Sequence, residues 1–137
     1  MTEADALTPY ARALGIVLDR MEDDVPVLRV EFANAVQGRP GALHGGAISG
    51  LLETAGYALL RGVLVRAERA TAMKPINLTV QFLASGKPRP TFARARIVKL
   101  GRRTANLSVE AWQDDPIRPI ASAVMNVMVA MAEQPAG

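Results

Sequence analysis

Two features of the sequence carry groups that could act on a carbonyl compound. The first is the run His44, Gly45 and Gly46, which contains the only histidine of the chain. If a helix begins there, its first amide groups have no helical partner and could polarise a carbonyl oxygen. The second is Glu53, nine residues after His44, whose carboxylate could act as a general base or a nucleophile. His44 is itself a candidate general base, although a histidine at this position is as often a helix cap.

The composition removes several other kinds of chemistry. There is no cysteine among the 137 residues, which excludes disulfides, thiolate metal sites and a cysteine nucleophile. A single histidine does not supply the ligand set of a typical metal centre. We therefore expect neither a metal nor another cofactor. The length fits one domain that spans residues 1–137.

The N-terminal residues and the hydropathy pattern bear on location. The first residues are acidic and lack the basic start and apolar core of a secretory leader. No uninterrupted apolar run approaches the roughly 20 residues that span a bilayer. We therefore expect a cytoplasmic protein without a membrane partner.

The longest helical pattern runs from Gly45 to about Leu60. Its apolar residues recur at steps of three and four and predict one face packed on a core. They are Ile48, Leu51, Leu52, Ala55 and Leu59. Glu53 lies off this stripe, where a lone carboxylate is usually solvated. It shares its flank with Gly46, Ser49, Gly50, Gly56 and Tyr57. Because a glycine inside a helix costs about 1 kcal/mol, we interpret these glycines as allowing the close approach of a ligand or a partner backbone.

The spacing of Gly45 and Glu53 has a geometric consequence. They are eight residues apart, which at a rise of roughly 1.5 Å per residue places them about 12 Å apart along the helix axis. One helix therefore cannot bring both groups to one carbonyl. If two copies pack their central helices antiparallel through the glycine flank, the helix start of one copy meets Glu53 of the other. This interpretation requires a homodimer with the active site at its interface.

The remaining elements are predicted from hydrophobic patterns. A short helix is predicted over residues 4–14, and a hairpin of two strands over residues 16–22 and 25–32. Residues 34–43 contain two glycines and a proline and predict a loop that leads into the long helix. Four more strands are predicted over residues 76–82, 91–100, 104–111 and 120–131. The short connections favour antiparallel pairing, so the predicted fold class is α+β, with an antiparallel sheet wrapped around one central helix.

Charge is distributed unevenly along the chain. Residues 1–60 carry 4 basic and 8 acidic side chains, residues 61–137 carry 12 basic and 5 acidic ones, and the net charge is +3. A basic half favours a phosphate-bearing ligand. With 4% aromatic residues and no nucleic-acid motif, a nucleic-acid partner is not expected. The candidate phosphate contacts are Arg61, Arg66, Arg69, Lys74, Arg102 and Arg103, of which the last two form the densest pair, in a predicted turn.

One segment resembles the signature of a known enzyme family. Residues 38–55 read G-x-x-G-A-L-H-G-G-A-I-S-G-L-L-E-T-A, which is similar to the signature of hotdog-fold thioesterases. The similarity is greatest to the phenylacetyl-CoA branch, which is related to 4-hydroxybenzoyl-CoA thioesterase. It continues through PINLTVQFL at residues 75–83 and KLGRRTANLSVEA at residues 99–111, so it covers most of the chain in order.

The resemblance implies a hotdog fold and the hydrolysis of an acyl-CoA thioester to a free acid and coenzyme A. It implies that Glu53 is the general base or nucleophile, and that the amide of Gly45 binds the thioester oxygen from the opposing subunit. We expect Gly46 to assist with a second amide, and Ser49 and Tyr57 to line the substrate site. Arg102 and Arg103 are expected to contact the substrate's phosphates. The expected assembly is a homodimer that pairs further into a homotetramer.

The chain departs from this family at positions that bear on activity. Many relatives carry Asn or Gln six residues before the histidine, where this chain has Gly38; Gln37 is adjacent and could take over through a shifted loop. The family Ser or Thr from the strand after the helix has two candidate positions here, Thr71 and Pro75. Without such orienting groups the chain could sense acyl-CoA without turnover, which is the alternative function. A hotdog dehydratase is a weaker alternative, because its His-Phe-Pro and Asp-x-x-x-x-His contexts are missing.

Overall fold

The computed structural model describes residues 7–69 and 71–131, and for residues 71, 130 and 131 it describes the backbone only. Within these residues, two α-helices, one turn of 3-10 helix and six strands follow one another. In chain order they are α1 (Pro9–Ala13), β1 (Val17–Glu22), β2 (Val25–Val30), the 3-10 turn (Asn34–Val36), α2 (Gly45–Arg66), β3 (Thr71–Phe82), β4 (Thr91–Leu100), β5 (Thr104–Trp112) and β6 (Ala121–Met131).

The six strands form one sheet in the order β1-β2-β4-β5-β6-β3, and every neighbouring pair is antiparallel. α2 packs on one face of this sheet, mainly against β2, β4 and β5. This is the hotdog fold, an α+β architecture in which a sheet wraps around one long helix. The predicted order of a short helix, two strands, a long helix and four strands is confirmed.

α2 buries its apolar stripe against the inner face of the sheet. Leu51, Leu52 and Ala55 are fully buried, as are Leu107 and Val109 of β5. Because each large side chain contributes about 1.5–3 kcal/mol when it is fully buried, this contact forms the centre of the core. By length and composition alone α2 could also span a membrane, but 56% of that stretch is buried inside the fold, as expected of a core helix.

α2 and β3 begin or end several residues beyond the sequence-based prediction. α2 continues past Leu60 to Arg66, because Leu64 returns to the core and is 3% exposed. β3 begins at residue 71 rather than 76, because residues 71–75 pair with residues 127–131 of β6. Pro75 hides this extension in the sequence by breaking the alternation. A proline is accommodated here because β3 lies at an edge of the sheet, beside a register shift between Pro75 and Asn77.

A row of asparagines fixes β3 to the sheet directly after this shift. Asn126 of β6 donates from Nδ2 to Oδ1 of Asn77 at 2.7 Å. It also accepts a hydrogen bond from Nδ2 of Asn106 on β5. The row thus joins β3, β6 and β5 and holds the edge strand in register.

α1 is shorter than predicted. Of the helix expected over residues 4–14, the structure forms Pro9–Ala13, and residues 4–6 lie outside the described part of the chain. Thr8 caps this helix, since its Oγ1 accepts the amide of Ala11 at 3.1 Å, and Pro9 suits the first helical position. Ala11 is fully buried in the core. α1 is therefore fixed against α2 despite its length.

Two glycines of α2 face the chain's own side chains, which corrects the expectation that they face a partner. A Cβ on Gly50 would lie 3.0 Å from Cε2 of Tyr10, in α1. A Cβ on Gly56 would collide with the thioether of Met125, on β6. Gly50 therefore makes room for α1, and Gly56 makes room for the sheet. The close approach that these glycines allow occurs within one chain.

This account predicts opposite effects for two glycine-to-alanine changes on α2. Gly56→Ala should lower the free energy of unfolding by about 1–2 kcal/mol, because overpacking against Met125 outweighs the gain in helix propensity. Gly62→Ala should raise it by up to about 1 kcal/mol, because the nearest atom that its Cβ would meet is the end of the flexible Arg66 side chain, at 3.2 Å. Urea denaturation measures both. Stabilisation of both variants would contradict the role given to Gly56.

Candidate active site

The start of α2 is capped by the side chain of His44. Its Nδ1 accepts the amide N–H of Gly46 at 2.8 Å, so in the neutral ring the proton lies on Nε2. The backbone amide of His44 donates to the carbonyl of Val36 at 2.8 Å. The interpretation of His44 as a helix cap is confirmed. The expectation that Gly46 offers a second amide to a substrate is wrong, because His44 already occupies that amide.

The amide of Gly45 remains available at this helix start. It donates to no acceptor among the described residues. The four N-terminal amides of a helix carry partial positive charge, and this one belongs to a helix of 22 residues. Phe82, at the end of β3, packs against Gly45, since a Cβ on Gly45 would lie 3.3 Å from Cζ of the Phe82 ring. Gly45 therefore presents one backbone donor beside an aromatic wall.

The cavity at this end of α2 has a volume of about 520 Å³. It is lined by residues 38, 39, 42–45, 48 and 82–86. A Cβ on Gly38 would lie 3.0 Å from Cα of His44, so an Asn or Gln at this position would require the backbone at His44 to shift by a few tenths of an ångström. Arg39 brings a cation into this lining, which the sequence analysis missed. In the sequence, Arg39 is distinguished only by being the one charged residue of the loop over residues 34–43.

Gln37 does not take over the role expected at Gly38. Its Nε2 donates to Oδ1 of Asn34 at 3.1 Å, and its Oε1 accepts the amide of Gly41 at 2.9 Å. Both ends of the amide therefore hold the loop together. Gln37 also lies outside the lining of the cavity at Gly45, which corrects the expectation that it reaches the site.

Glu53 lies in a second cavity, of about 300 Å³, between α1, α2 and β3. The lining consists of Leu7, Thr8, Tyr10, Glu53, Thr54, Tyr57, Ala58, Arg61, Met73 and Pro75. Glu53 is half-buried, so its carboxylate is not simply a solvated charge on the outside of the helix. Tyr57 and Pro75 lie here as expected, Ser49 is half-buried on α2 outside both linings, and the side chain of Thr71 lies outside the described residues.

Tyr57, one helical turn after Glu53, has an unusual environment. Its hydroxyl is buried and makes no hydrogen bond in the structure. Burial raises the pKa of Tyr57 above its ordinary value, and the negative charge of Glu53 raises it further. The phenol therefore stays protonated at neutral pH, beside the candidate catalytic carboxylate.

The structure keeps the two candidate groups apart within one chain. Gly45 and Glu53 line different cavities, as their separation of about 12 Å along α2 requires. No cluster of His, Cys, Asp and Glu able to hold a metal occurs among the residues that the structure describes. The arrangement thus offers a candidate oxyanion donor at Gly45 and a candidate base at Glu53. Within one chain neither group has the other beside it.

The predicted arginine pair lies at the other end of the molecule. Arg102 and Arg103 are exposed in the turn between β4 and β5. Arg69, which follows α2, donates to the carbonyls of Gly101 and Arg102, both at 3.2 Å. This turn is therefore near the C-terminal end of α2, a helix about 33 Å long. Within one chain the pair lines neither cavity, so the expectation that it contacts the substrate's phosphates stays a prediction.

The electrostatic interaction between Glu53 and Tyr57 predicts a shift in a tyrosine titration. In a Tyr10→Phe background Tyr57 is the only tyrosine, so tyrosinate absorbance reports it alone. We expect Tyr57 to ionise above pH 10. The contribution of the neutral phenol to stability is then present below pH 10 and is lost as the pH rises further. Glu53→Gln should lower the pKa toward 10 without reaching it, because burial is the larger cause. Glu110→Gln, an exposed carboxylate on β5, is the control. An unshifted curve for Glu53→Gln would contradict the electrostatic interaction with Glu53.

Comparison with known proteins places the chain in a family. The sequence model of the thioesterase superfamily matches residues 40–120. The medium/long-chain acyl-CoA thioesterase YigI of Salmonella typhimurium is 30% identical over 139 residues, which cover 88% of this chain and 85% of the relative. The Escherichia coli protein of the same name is 29% identical over 133 residues, with the same coverage.

Solved structures show the same architecture. A thioesterase from Haemophilus influenzae superposes with a TM-score of 0.81 at 17% identity, covering 93% of this chain and 87% of that one. A phenylacetic acid degradation-related protein from Ralstonia eutropha superposes with a TM-score of 0.76 at 24% identity, covering 89% and 91%. These similarities support the hotdog fold, and together with the match over residues 40–120 they show that the chain belongs to the thioesterase superfamily.

Proposed function

We propose that this chain hydrolyses acyl-CoA thioesters at an active site that two copies build together. The curated relatives are named for acyl-CoA hydrolysis. The observation that carries the proposal is the Gly45 amide, a donor without an acceptor among the described residues, at the positive end of a long helix. Such an amide stabilises the oxyanion that forms during acyl transfer. Glu53 supplies the base that this chemistry also needs.

In the proposed reaction the thioester carbonyl oxygen accepts a hydrogen bond from the amide of Gly45. Glu53 takes a proton from a water molecule, whose oxygen attacks the carbonyl carbon. The oxyanion then collapses, the carbon–sulfur bond breaks, and the sulfur leaves with the proton from Glu53. The products are a free acid and coenzyme A. Direct attack by Glu53, followed by hydrolysis of the resulting anhydride, would use the same two groups.

The edge of β3 is where a second copy fits. β3 is last in the strand order, so one side of its 12 residues has no strand partner among the described residues. Ile76 and Phe82 on this strand are 48% and 56% exposed. An exposed apolar edge is a template for pairing with another strand. Antiparallel pairing of two β3 edges would join the sheets and lay the two α2 helices side by side in opposite directions.

This dimer would bring the two separated groups together. With the helices antiparallel, Gly45 of one copy faces Glu53 of the other, and the same contact repeats by symmetry. The cavity beside Gly45 would take the coenzyme A side of the thioester, where Arg39 is a cation for its phosphates. Arg102 and Arg103 can serve only phosphates far from the thioester. Exposed Val98, Val124 and Met128 on β4 and β6 favour a further pairing of dimers into a tetramer.

Removal of either group should abolish turnover while substrate binding persists. Glu53→Gln should lower kcat by about 10²–10⁴. Gly45→Pro removes the amide N–H, adds the pyrrolidine ring, and should lower kcat by about 10²–10³. Proline suits this first helical position, and His44 already has the extended backbone that precedes proline, with φ −69° and ψ 134°.

Gly45→Ala is the matched control. It makes the same Cβ contact with Phe82 but keeps the N–H, so it should retain most of the activity. Thiol release from acyl-CoA and binding by calorimetry are measured for all three variants. A Glu53→Gln protein as active as the wild type would exclude the proposed mechanism. Equal background rates in both would leave a protein that only senses acyl-CoA.

A mixing experiment tests whether the site is shared between copies. A mixed dimer of Glu53→Gln and Gly45→Pro chains contains one site with both groups intact and one site with both lost. After unfolding and refolding together, random pairing should restore about a quarter of the wild-type activity. If each chain carried a complete site, mixing would restore nothing, because every chain would still lack one group.

A further inference from the structure

One wall of the cavity beside Glu53 is built by the N-terminal segment, residues 7–10. Leu7, Thr8 and Tyr10 line the cavity from this side, Met73 and Pro75 line it from β3, and α2 supplies the rest. The segment lies outside residues 40–120, which match the superfamily. Glu53 therefore lies within the matched region, whereas one wall of its cavity lies outside that region.

Tyr10 is held in this wall by direct packing on α2. A Cβ on Gly50 would lie 3.0 Å from Cε2 of Tyr10 and 3.2 Å from its hydroxyl, so the ring lies against the bare backbone of the helix. Cδ1 of Leu14 would lie 3.2 Å from the same Cβ. Ala11, between Tyr10 and Leu14 in the sequence, is fully buried. Gly50 lies within one turn of Glu53. The ring thus has a defined position next to the reacting group.

The cavity is suited to an apolar chain of moderate size. Its volume of about 300 Å³ is within the lower range of small-molecule sites. The hydroxyls of Thr8 and Thr54 are engaged with the backbone, since Thr8 accepts from Ala11 at 3.1 Å and Thr54 donates to the carbonyl of Gly50 at 2.6 Å. The rest of the N-terminal wall is therefore apolar or aromatic.

We infer that residues 7–10 set the size of the acyl group that the enzyme accepts, with Tyr10 as the main specificity-determining residue. The substrate class is then acyl-CoA with an apolar acyl group of limited size. This inference rests on the proposed function, because the acyl group enters this cavity only if Glu53 acts on the thioester. Tyr10 is 56% exposed and lines the same cavity as Glu53, so its removal should change which acyl groups fit rather than how fast the bond breaks.

The test is a profile of kcat/KM against chain length, from butanoyl-CoA to hexadecanoyl-CoA, for the full-length chain. Tyr10→Ala should raise the ratio of kcat/KM for long over medium chains by roughly tenfold, since each additional buried methylene is worth about fourfold. Leu7→Ala, a smaller change in the same wall, should shift the ratio in the same direction by less. Thermal unfolding shows whether Tyr10→Ala folds. If it does not, Leu7→Ala is used as the test variant instead.

Two controls keep a general structural effect apart from selectivity. Tyr10→Phe keeps the ring and should keep the wild-type profile. Ala13→Ser changes an exposed residue of α1 that does not line the cavity, and it should also leave the profile unchanged. A uniform change at all chain lengths in folded Tyr10→Ala and Leu7→Ala would overturn the inference.

The outcome is distinguishable from a failure of the proposed function. An unaltered profile in Tyr10→Ala together with an inactive Glu53→Gln would remove only the inference about the wall. A shifted profile together with a fully active Glu53→Gln would keep the wall as a specificity element and remove the role given to Glu53.

Discussion

A continuous helix holds the amide of Gly45 and the carboxylate of Glu53 at a fixed separation of about 12 Å. This separation is fixed, because the helix between the two groups packs on the sheet through Leu51, Leu52 and Ala55, which are all fully buried. Any reaction that uses both groups therefore needs a second helix. The rest of the structure is consistent with that need, since β3 leaves an unpaired edge on the described chain that can position such a helix.

Small residues set how closely the elements approach α2. Gly56 lets the sheet approach through Met125, Gly50 lets α1 approach through Tyr10, and Gly38 lets the preceding loop approach the backbone of His44. Each glycine removes a side chain at a contact, so the helix is enclosed by its own chain on several sides. The cavities at Gly45 and Glu53 lie beside these contacts. The glycines therefore mark close contacts within the chain rather than a surface for a partner helix.

Much of the fold could be predicted from the sequence because periodicity reports which residues face the core. The stripe on α2 and the alternation in β3 and β5 predicted the correct element types and order. Periodicity does not report what covers the other side of an element, and the direction of Gly50 and Gly56 was therefore misread. The start of β3 was missed because pairing with β6 overrides the local signal of Pro75.

The candidate site was predictable to a similar degree. Glu53, Tyr57 and Gly45 lie in cavities as the motif indicated. Hydrogen bonds in loops were not predictable, because they depend on how the loop closes. Gln37 is bound to Asn34 and Gly41, and the Gly46 amide is bound to His44. Arg39 and Tyr10 have no motif of their own. They gain a role only because folding places them beside the cavities.

Phe82 connects assembly with chemistry. It is the last residue of β3, is 56% exposed, and its ring lies against Gly45. Pairing of the β3 edge with a second copy would cover this ring and restrict its position, since buried side chains pack at high density. The helix start that Phe82 contacts would then be held more rigidly, together with the amide that points at the substrate. An oxyanion donor is effective to the extent that it is fixed before the charge develops. In the proposed dimer, the strand that pairs with the second copy would therefore also fix the position of this amide.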